Sequence, residues 1–201
     1  MMQNIKIGDS VMHFEHALIA RICHDLITPF NAINLGMEAF DATGDKSLLN
    51  GVRGSVDKAN IILKFVRELY STRSDSFCYS RISLRKLLSD FLKNYNISFN
   101  LESDLENIPN VAAKIIMYNA VIAKEISQLG GIVNVKINDE HGEIVTICSG
   151  KNVVVPNFEN DDECNHKNIM RLNLLRLLKE SGFKISVNQK DDRVIITEQV
   201  A

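Results

Sequence analysis

The sequence contains no tryptophan, and aromatic residues make up only 6% of its 201 positions. Stacking platforms for single-stranded nucleic acid are built from such rings, so their scarcity argues against that role. A basic field is missing as well. The formal net charge is −2, which leaves no electrostatic footprint for nucleic acid. No window approaches 18 consecutive apolar residues, and MMQNIKIGDS has no basic segment followed by an apolar run. Neither a membrane span nor a signal peptide is therefore expected. The four cysteines, at 23, 78, 148 and 164, form no CxxC pair. Their spacing fits neither a zinc site nor a disulfide framework, and free thiols in a reducing cytosol are the expectation. What is present suits a soluble globular chain of one or two domains: 45% hydrophobic and 24% charged residues.

The two halves have different hydrophobic periods. Asp9 or Ser10 offers an N-cap. Apolar residues then recur at Phe14, Leu18, Ile22, Leu26, Phe30, Ile33, Met37 and Phe40 in steps of three or four, which is one helical stripe. DATGDKS (41–47) is a turn, and a second stripe follows at Val52, Val56, Ala59, Leu63, Val66 and Tyr70, close to a heptad seam. Two such helices make a hairpin with an apolar face, and two chains docking their hairpins would make a four-helix bundle. The competing possibility is that the second half of the same chain covers that face. STRSDS (71–76) reads as a polar hinge. Beyond it the pattern predicts a helix over 83–95, a strand over 97–102 and a helix over 111–131 closed by Gly130 and Gly131. Two strands around His141–Gly142, a helix over 165–182 and a final hairpin around KDD follow. That order is an α+β sandwich with helices on one face of a mixed sheet.

RICHDLITPF (21–30) does not read as a plain structural helix. At about 100° per residue, His24 lies roughly 180–200° from the apolar stripe and so faces solvent. Pro29 removes a backbone donor and disturbs the turn holding the carbonyl of Asp25. Local rule-breaking of this kind tends to sit at functional sites. Ala17, Ala20, Thr28 and Asn31 share the face, and Arg21 is three residues before the histidine. Small residues let another protein come close, and an arginine holds phosphoryl oxygens. A neutral imidazole, with a reference pKa of about 6.5, is a nucleophile near pH 7. An adjacent carboxylate can hold one ring nitrogen and leave the other to attack. The pattern points to phosphoryl transfer onto His24. The bland alternative is an exposed histidine beside a helix proline, without a role.

HDLITP resembles the H-[E/D]-x-x-x-P box of the dimerisation and phosphoacceptor domain of sensor histidine kinases. RICHDLITPFNAINLGMEAF is more similar still to the ChpT-like histidine phosphotransferases of alphaproteobacteria, through Arg21, Cys23, His24, Asp25, Pro29 and Gly36. The hairpin-then-sandwich order matches as well, so the resemblance covers nearly the whole chain. It implies an α+β fold: a helical hairpin (1–74) forming a dimeric four-helix bundle, then a degenerate histidine-kinase ATPase-like, Bergerat-type sandwich (75–201). It implies a cytoplasmic homodimer that takes a phosphoryl group from the receiver domain of a hybrid histidine kinase. The group then passes to the aspartates of response-regulator receiver domains. In that role His24 is the phosphoacceptor, Asp25 orients or polarises it, and Arg21 and Thr28 assist at the phosphoryl group or the docked receiver. Partner specificity falls on Ala17, Ala20, Ile27 and Asn31. No cofactor is bound by the chain, since the receiver brings its own Mg²⁺.

A kinase ATPase domain would need an asparagine box, a D-x-G-x-G loop and a second glycine-rich loop. Here MYNAVIA keeps only Asn119, a relic expected to bond within the sandwich. After GEIVTI the chain reads CSGKN, with Gly150 but no aspartate, and VVVPNFENDDEC has no glycine. A phosphate-cradling loop needs the close backbone approach that glycine permits. The expectation is a second half that does not bind ATP. His13 and His16, near Glu15, are i, i+3, but nothing completes a metal site, so solvated helix residues are expected. Cys23 diverges by about 100° from His24, poor geometry for a thiol–imidazole dyad. ENDDEC (159–164) reads as a solvated loop before a helix N-terminus. Two alternative functions remain: an ATP-dependent histidine kinase core, and a non-catalytic adaptor or inhibitor that binds a kinase or receiver.

Overall fold

The computed structural model describes residues 7–74, 76–158 and 164–201, with side chains from residue 13 onward. The chain divides into two compact units. The first holds Met1–Arg67 together with Asp161–Ile169, and the second holds Glu68–Asn160 and Met170–Ala201. The expected border after residue 74 is thus drawn at Arg67, and a short segment from far along the chain joins the first unit.

In the first unit, α1 (Ile7–Thr43) and α2 (Leu48–Leu69, its last two residues assigned to the second unit) form the expected hairpin. α1 is already helical at Ile7, ahead of the proposed caps Asp9 and Ser10, and it continues through Pro29. Gly44 ends it in the left-handed region at φ 67°, with its N–H on the Phe40 carbonyl at 2.7 Å, a conformation that glycine adopts freely. Asp45 then accepts from the Ser47 amide at 2.8 Å, an Asx turn that starts α2. Gly36 lets the helices approach, because a Cβ there would meet Val52 Cγ2 at 2.6 Å. Ala59, Ile62 and Phe65 of α2 are buried at helical spacing.

The second unit contains a five-stranded sheet in the order β2-β4-β5-β7-β6. Its strands are β2 (Ile97–Glu102), β4 (Gly131–Asn138), β5 (Glu143–Ser149), β6 (Phe183–Lys190) and β7 (Arg193–Val200). β2 runs parallel to β4, and the remaining pairs are antiparallel. Strand alternation sends Phe99, Val133, Val135, Ile144 and Ile196 to one buried face. Helices α3 (Arg81–Lys93), α4 (Asn110–Ile126) and α5 (Ile169–Glu180) accompany it. α3 buries Leu84, Leu87, Leu88, Phe91 and Leu92, a single stripe at i, i+3, i+4, i+7 and i+8. α4 is buried almost all round, with each fully buried aliphatic side chain contributing about 1.5–3 kcal/mol. A separate two-stranded sheet, β1 (Cys78–Ser80) with β3 (Asn107–Pro109), was not expected.

α4 ends at Ile126 rather than at the glycines. Gly130 and Gly131 instead sit where three backbone segments cross. A Cβ on Gly130 would lie 2.7 Å from the Asn96 carbonyl oxygen, one on Gly131 would run into the Ser149 carbonyl oxygen, and one on Gly150 would lie 2.6 Å from the Gly130 carbonyl oxygen.

Candidate functional site

His24 stands on the exposed side of α1, with 67% of its side chain open to solvent. Its Nδ1 lies 3.4 Å from Asp25 Oδ1. An ionised carboxylate only accepts, so Nδ1 carries the hydrogen and the Nε2 lone pair is left for chemistry. The other oxygen of Asp25, Oδ2, accepts from Arg21 Nε at 3.3 Å. Arg21 and Asp25 are i, i+4 neighbours on one helix face, which is why this pair forms locally. Arg21 reaches further: its Nη1 donates to the backbone carbonyl of His166 at 3.3 Å. The imidazole of His166 then lies beside that of His24, with ring centroids 6.0 Å apart and planes inclined at 34°. α1 and residues 161–169 belong to the same unit, so these contacts are internal to it.

The predicted residues separate into two flanks. Ala20, Ile27, Thr28 and Asn31 are exposed around His24. Ala17 is not: it is only 7% exposed, and so is Arg21, one turn on. The expectation that Ala17 presents a docking surface is corrected accordingly. Helical phase places both residues on the flank of Asp25, and Arg21 meets the His166 carbonyl there. Arg21 is likewise no open cation on the exposed face. It joins Asp25 to the segment that follows residue 163.

That segment is itself fixed. The Asn165 amide donates to Asn168 Oδ1 at 2.8 Å, while Asn165 Oδ1 accepts from the amides of Lys167 (2.9 Å) and Asn168 (3.3 Å). This reciprocal cap starts the helical turn leading into α5. His166 was not among the residues expected at the site. Its signal was the N-x-x-N spacing, which marks residues 165–168 as a cap rather than as the first helical turn. The expected loop ENDDEC falls on 159–163, outside the described residues, apart from Cys164. His13 and His16 are exposed, and no group of three or more metal-ligating side chains occurs among the described residues.

In the second unit Asn119 is fully buried. Its Nδ2 donates to Thr146 Oγ1 and to Glu198 Oε1, both at 2.9 Å. It bonds within the sandwich, as expected of a relic. Gly150 is occupied in the backbone crossing beside Gly130. Glu198 was missed. Its position two residues beyond Ile196, in the inward phase of β7, was the available signal. Burial pushes its carboxyl up to about 8, with the Asn119 hydrogen bond opposing.

Because Arg21 bridges Asp25 and a backbone carbonyl, lysine is a poor substitute for it. Arg21→Lys is expected to lower stability by about 1 kcal/mol, since the ammonium cannot hold both acceptors in one plane. Urea denaturation of the variant checks this. An unchanged midpoint would mean that the bridge contributes nothing.

No family model matches the chain. Among curated proteins it is similar to the protein phosphotransferase ChpT of Brucella abortus (strain 2308), with 22% identity over 194 residues, covering 90% of this chain and 93% of that protein. Among solved structures, a bacterial phosphotransferase superposes with a TM-score of 0.82 at 19% identity, covering 99% of this chain and 98% of the other. The Acinetobacter baumannii histidine kinase AdeS gives a TM-score of 0.50 at 10% identity, over 89% of this chain and 97% of that one. The resemblance carried by the HDLITP box is therefore matched over nearly the whole length, and the fold is that of the bacterial phosphotransferase.

Proposed function

We propose that this chain is a histidine phosphotransferase of a two-component phosphorelay, with His24 as its phosphoacceptor. The observation that carries the reading is the pairing of His24 Nδ1 with Asp25 on an open helix face, which leaves Nε2 directed to an incoming group. The Nε2 lone pair attacks the phosphorus of a receiver's aspartyl phosphate. The P–O bond to the carboxylate breaks, and the carboxylate leaves with the electron pair. Nδ1 keeps its proton on Asp25. The reverse step delivers the group to a second receiver, whose own Mg²⁺ and acidic pocket meet the charge. The chain has only to present the imidazole on a rigid element for in-line attack.

Homodimerisation belongs to the same proposal. Phe30 and Met37 on α1, and Val56 and Leu63 on α2, each pair spaced by seven residues, stay substantially exposed in the single chain. A second hairpin would cover them in a four-helix bundle. Thr28 and the exposed Ala20, Ile27 and Asn31 suit a docking face for the receiver of a hybrid kinase and for response-regulator receivers. The reading that the second unit binds no ATP is supported by Asn119, whose amide is turned into the sandwich, and by Gly150, which is taken up in the backbone crossing. The relay is placed in the cytoplasm, where receiver domains of these systems work.

The test offers the purified chain a radiolabelled phospho-receiver domain and, separately, labelled ATP. Acid-labile, base-stable label arriving from the receiver alone is the expected result. Label arriving from ATP would make the chain a kinase. No label from several receivers would leave a non-catalytic adaptor.

A further inference from the structure

We infer that His166 is a phosphoryl-binding residue, donating a ring N–H to the oxygens of the group carried by His24. The inference rests on the reading of His24 as phosphoacceptor. A phosphoryl group on Nε2 brings three oxygens that share the charge, and donors set in place before transfer stabilise that charge most. Arg21 is the sole lysine or arginine in α1, and it is buried against Asp25 and the His166 carbonyl. Among the described residues of α1, the open flank around His24 offers Ala20, Cys23, Ile27, Thr28 and Asn31, none of them a cation. The second imidazole fills this gap. Its centroid is 6.0 Å from that of His24, too far for tight stacking. The P–N and P–O bonds of a phosphoryl group span much of that separation, and on this inference an oxygen of the group meets a His166 ring nitrogen. The backbone that carries the ring is held there, because Arg21 fixes the His166 carbonyl and the Asn165–Asn168 cap fixes its turn. During transfer no proton leaves His166. It supplies a hydrogen bond to an oxygen that is neither attacking nor leaving.

Phosphoramidate, a small phosphoryl donor that needs no docking partner, tests this on the full chain. Phosphorylation of His24 is followed by intact mass and by the ³¹P resonance of the phosphohistidine. His166→Phe keeps a ring without a donor, and His166→Gln keeps a donor without a ring. A lost charge-assisted hydrogen bond predicts His24 phosphorylation slowed about tenfold in His166→Phe, with a displaced ³¹P resonance. His166→Gln should recover most of the rate and the resonance. Equal rates and resonances in wild type and His166→Phe overturn the inference and leave the phosphoacceptor reading standing. A wild type that never carries label on His24, from phosphoramidate or a phospho-receiver, overturns both. Thermal unfolding checks each variant, and His166→Met replaces His166→Phe should the latter fail to fold.

Discussion

His24→Gln takes up no phosphoryl group from a labelled phospho-receiver, yet it unfolds at the temperature of the wild type. The two halves of this expectation have separate causes. The amide of glutamine has its nitrogen lone pair delocalised into the carbonyl, so it cannot form the phosphoramidate bond, and label falls to background. The fold is insensitive because the histidine is mostly exposed, and its hydrogen bond to Asp25 is long at 3.4 Å. Asp25 keeps Arg21 when the histidine is gone. Substitutions at such positions usually shift stability by less than about 0.5 kcal/mol. The measurement is label on the protein beside a thermal melt of the same sample. Label that survives would move the acceptor to another of the five histidines. A fall in Tm accompanying the loss would make His24 part of the packing rather than a presented nucleophile. An adaptor that only binds its partner would keep its activity in this variant.

How much of this was legible in the sequence depends on the range of the interaction. Both hairpin helices were readable, since a stripe with steps of three and four is a local signal, and the strand pairs around Gly142 and Asp191 alternate cleanly. β1 and β3 were not, because three residues are too few to show a period. The end of α4 was misplaced at the glycines. Those glycines answer to tertiary crowding at Asn96 and Ser149, not to the end of a helix. The exposure of His24 followed from helical phase alone. Phase could not show that Ala17 and Arg21 are covered, because Arg21's partner is His166, 145 residues away. The N-x-x-N spacing marks the turn that carries His166, but its place beside His24 was invisible for the same reason, as it depends on which element the turn meets. The role of Asn119 within the sandwich was expected, whereas its partner Glu198 required knowing which face of β7 turns inward.

That glutamate sets the second large effect. The chain should lose stability as pH rises from about 4.5 to 8, and Glu198→Gln should remove most of that loss. Glu198 is fully buried on β7, with Oε1 on Asn119 Nδ2. Among the described residues its Oε2 has no hydrogen-bond partner. Burial penalises the ionised form and raises the carboxyl from 4.5 to about 8. The same burial, with Glu198 nearby, pushes the Cys148 thiol to about 12, so no neighbouring thiolate forms to complicate the range. The unfolded chain gives up this proton near pH 4.5, while the folded chain holds it until about 8. Between those values the folded state binds the extra proton, so stability falls with rising pH, and above the upper value the loss is complete. At about 1.4 kcal/mol for each tenfold difference in proton affinity, the loss is roughly 3–5 kcal/mol. That is a large share of the stability of an ordinary domain, about 5–15 kcal/mol. Glutamine has the same shape, keeps an oxygen for Asn119 and has no charge to bury. Urea denaturation at pH 5 and pH 8.5 should find the two proteins alike in acid and the variant clearly more stable in base. Other titrating groups cancel in the comparison, which isolates this carboxyl. A difference between the two proteins that is the same at both pH values would mean that Glu198 ionises in the fold as it does in water, with its charge compensated inside the sandwich.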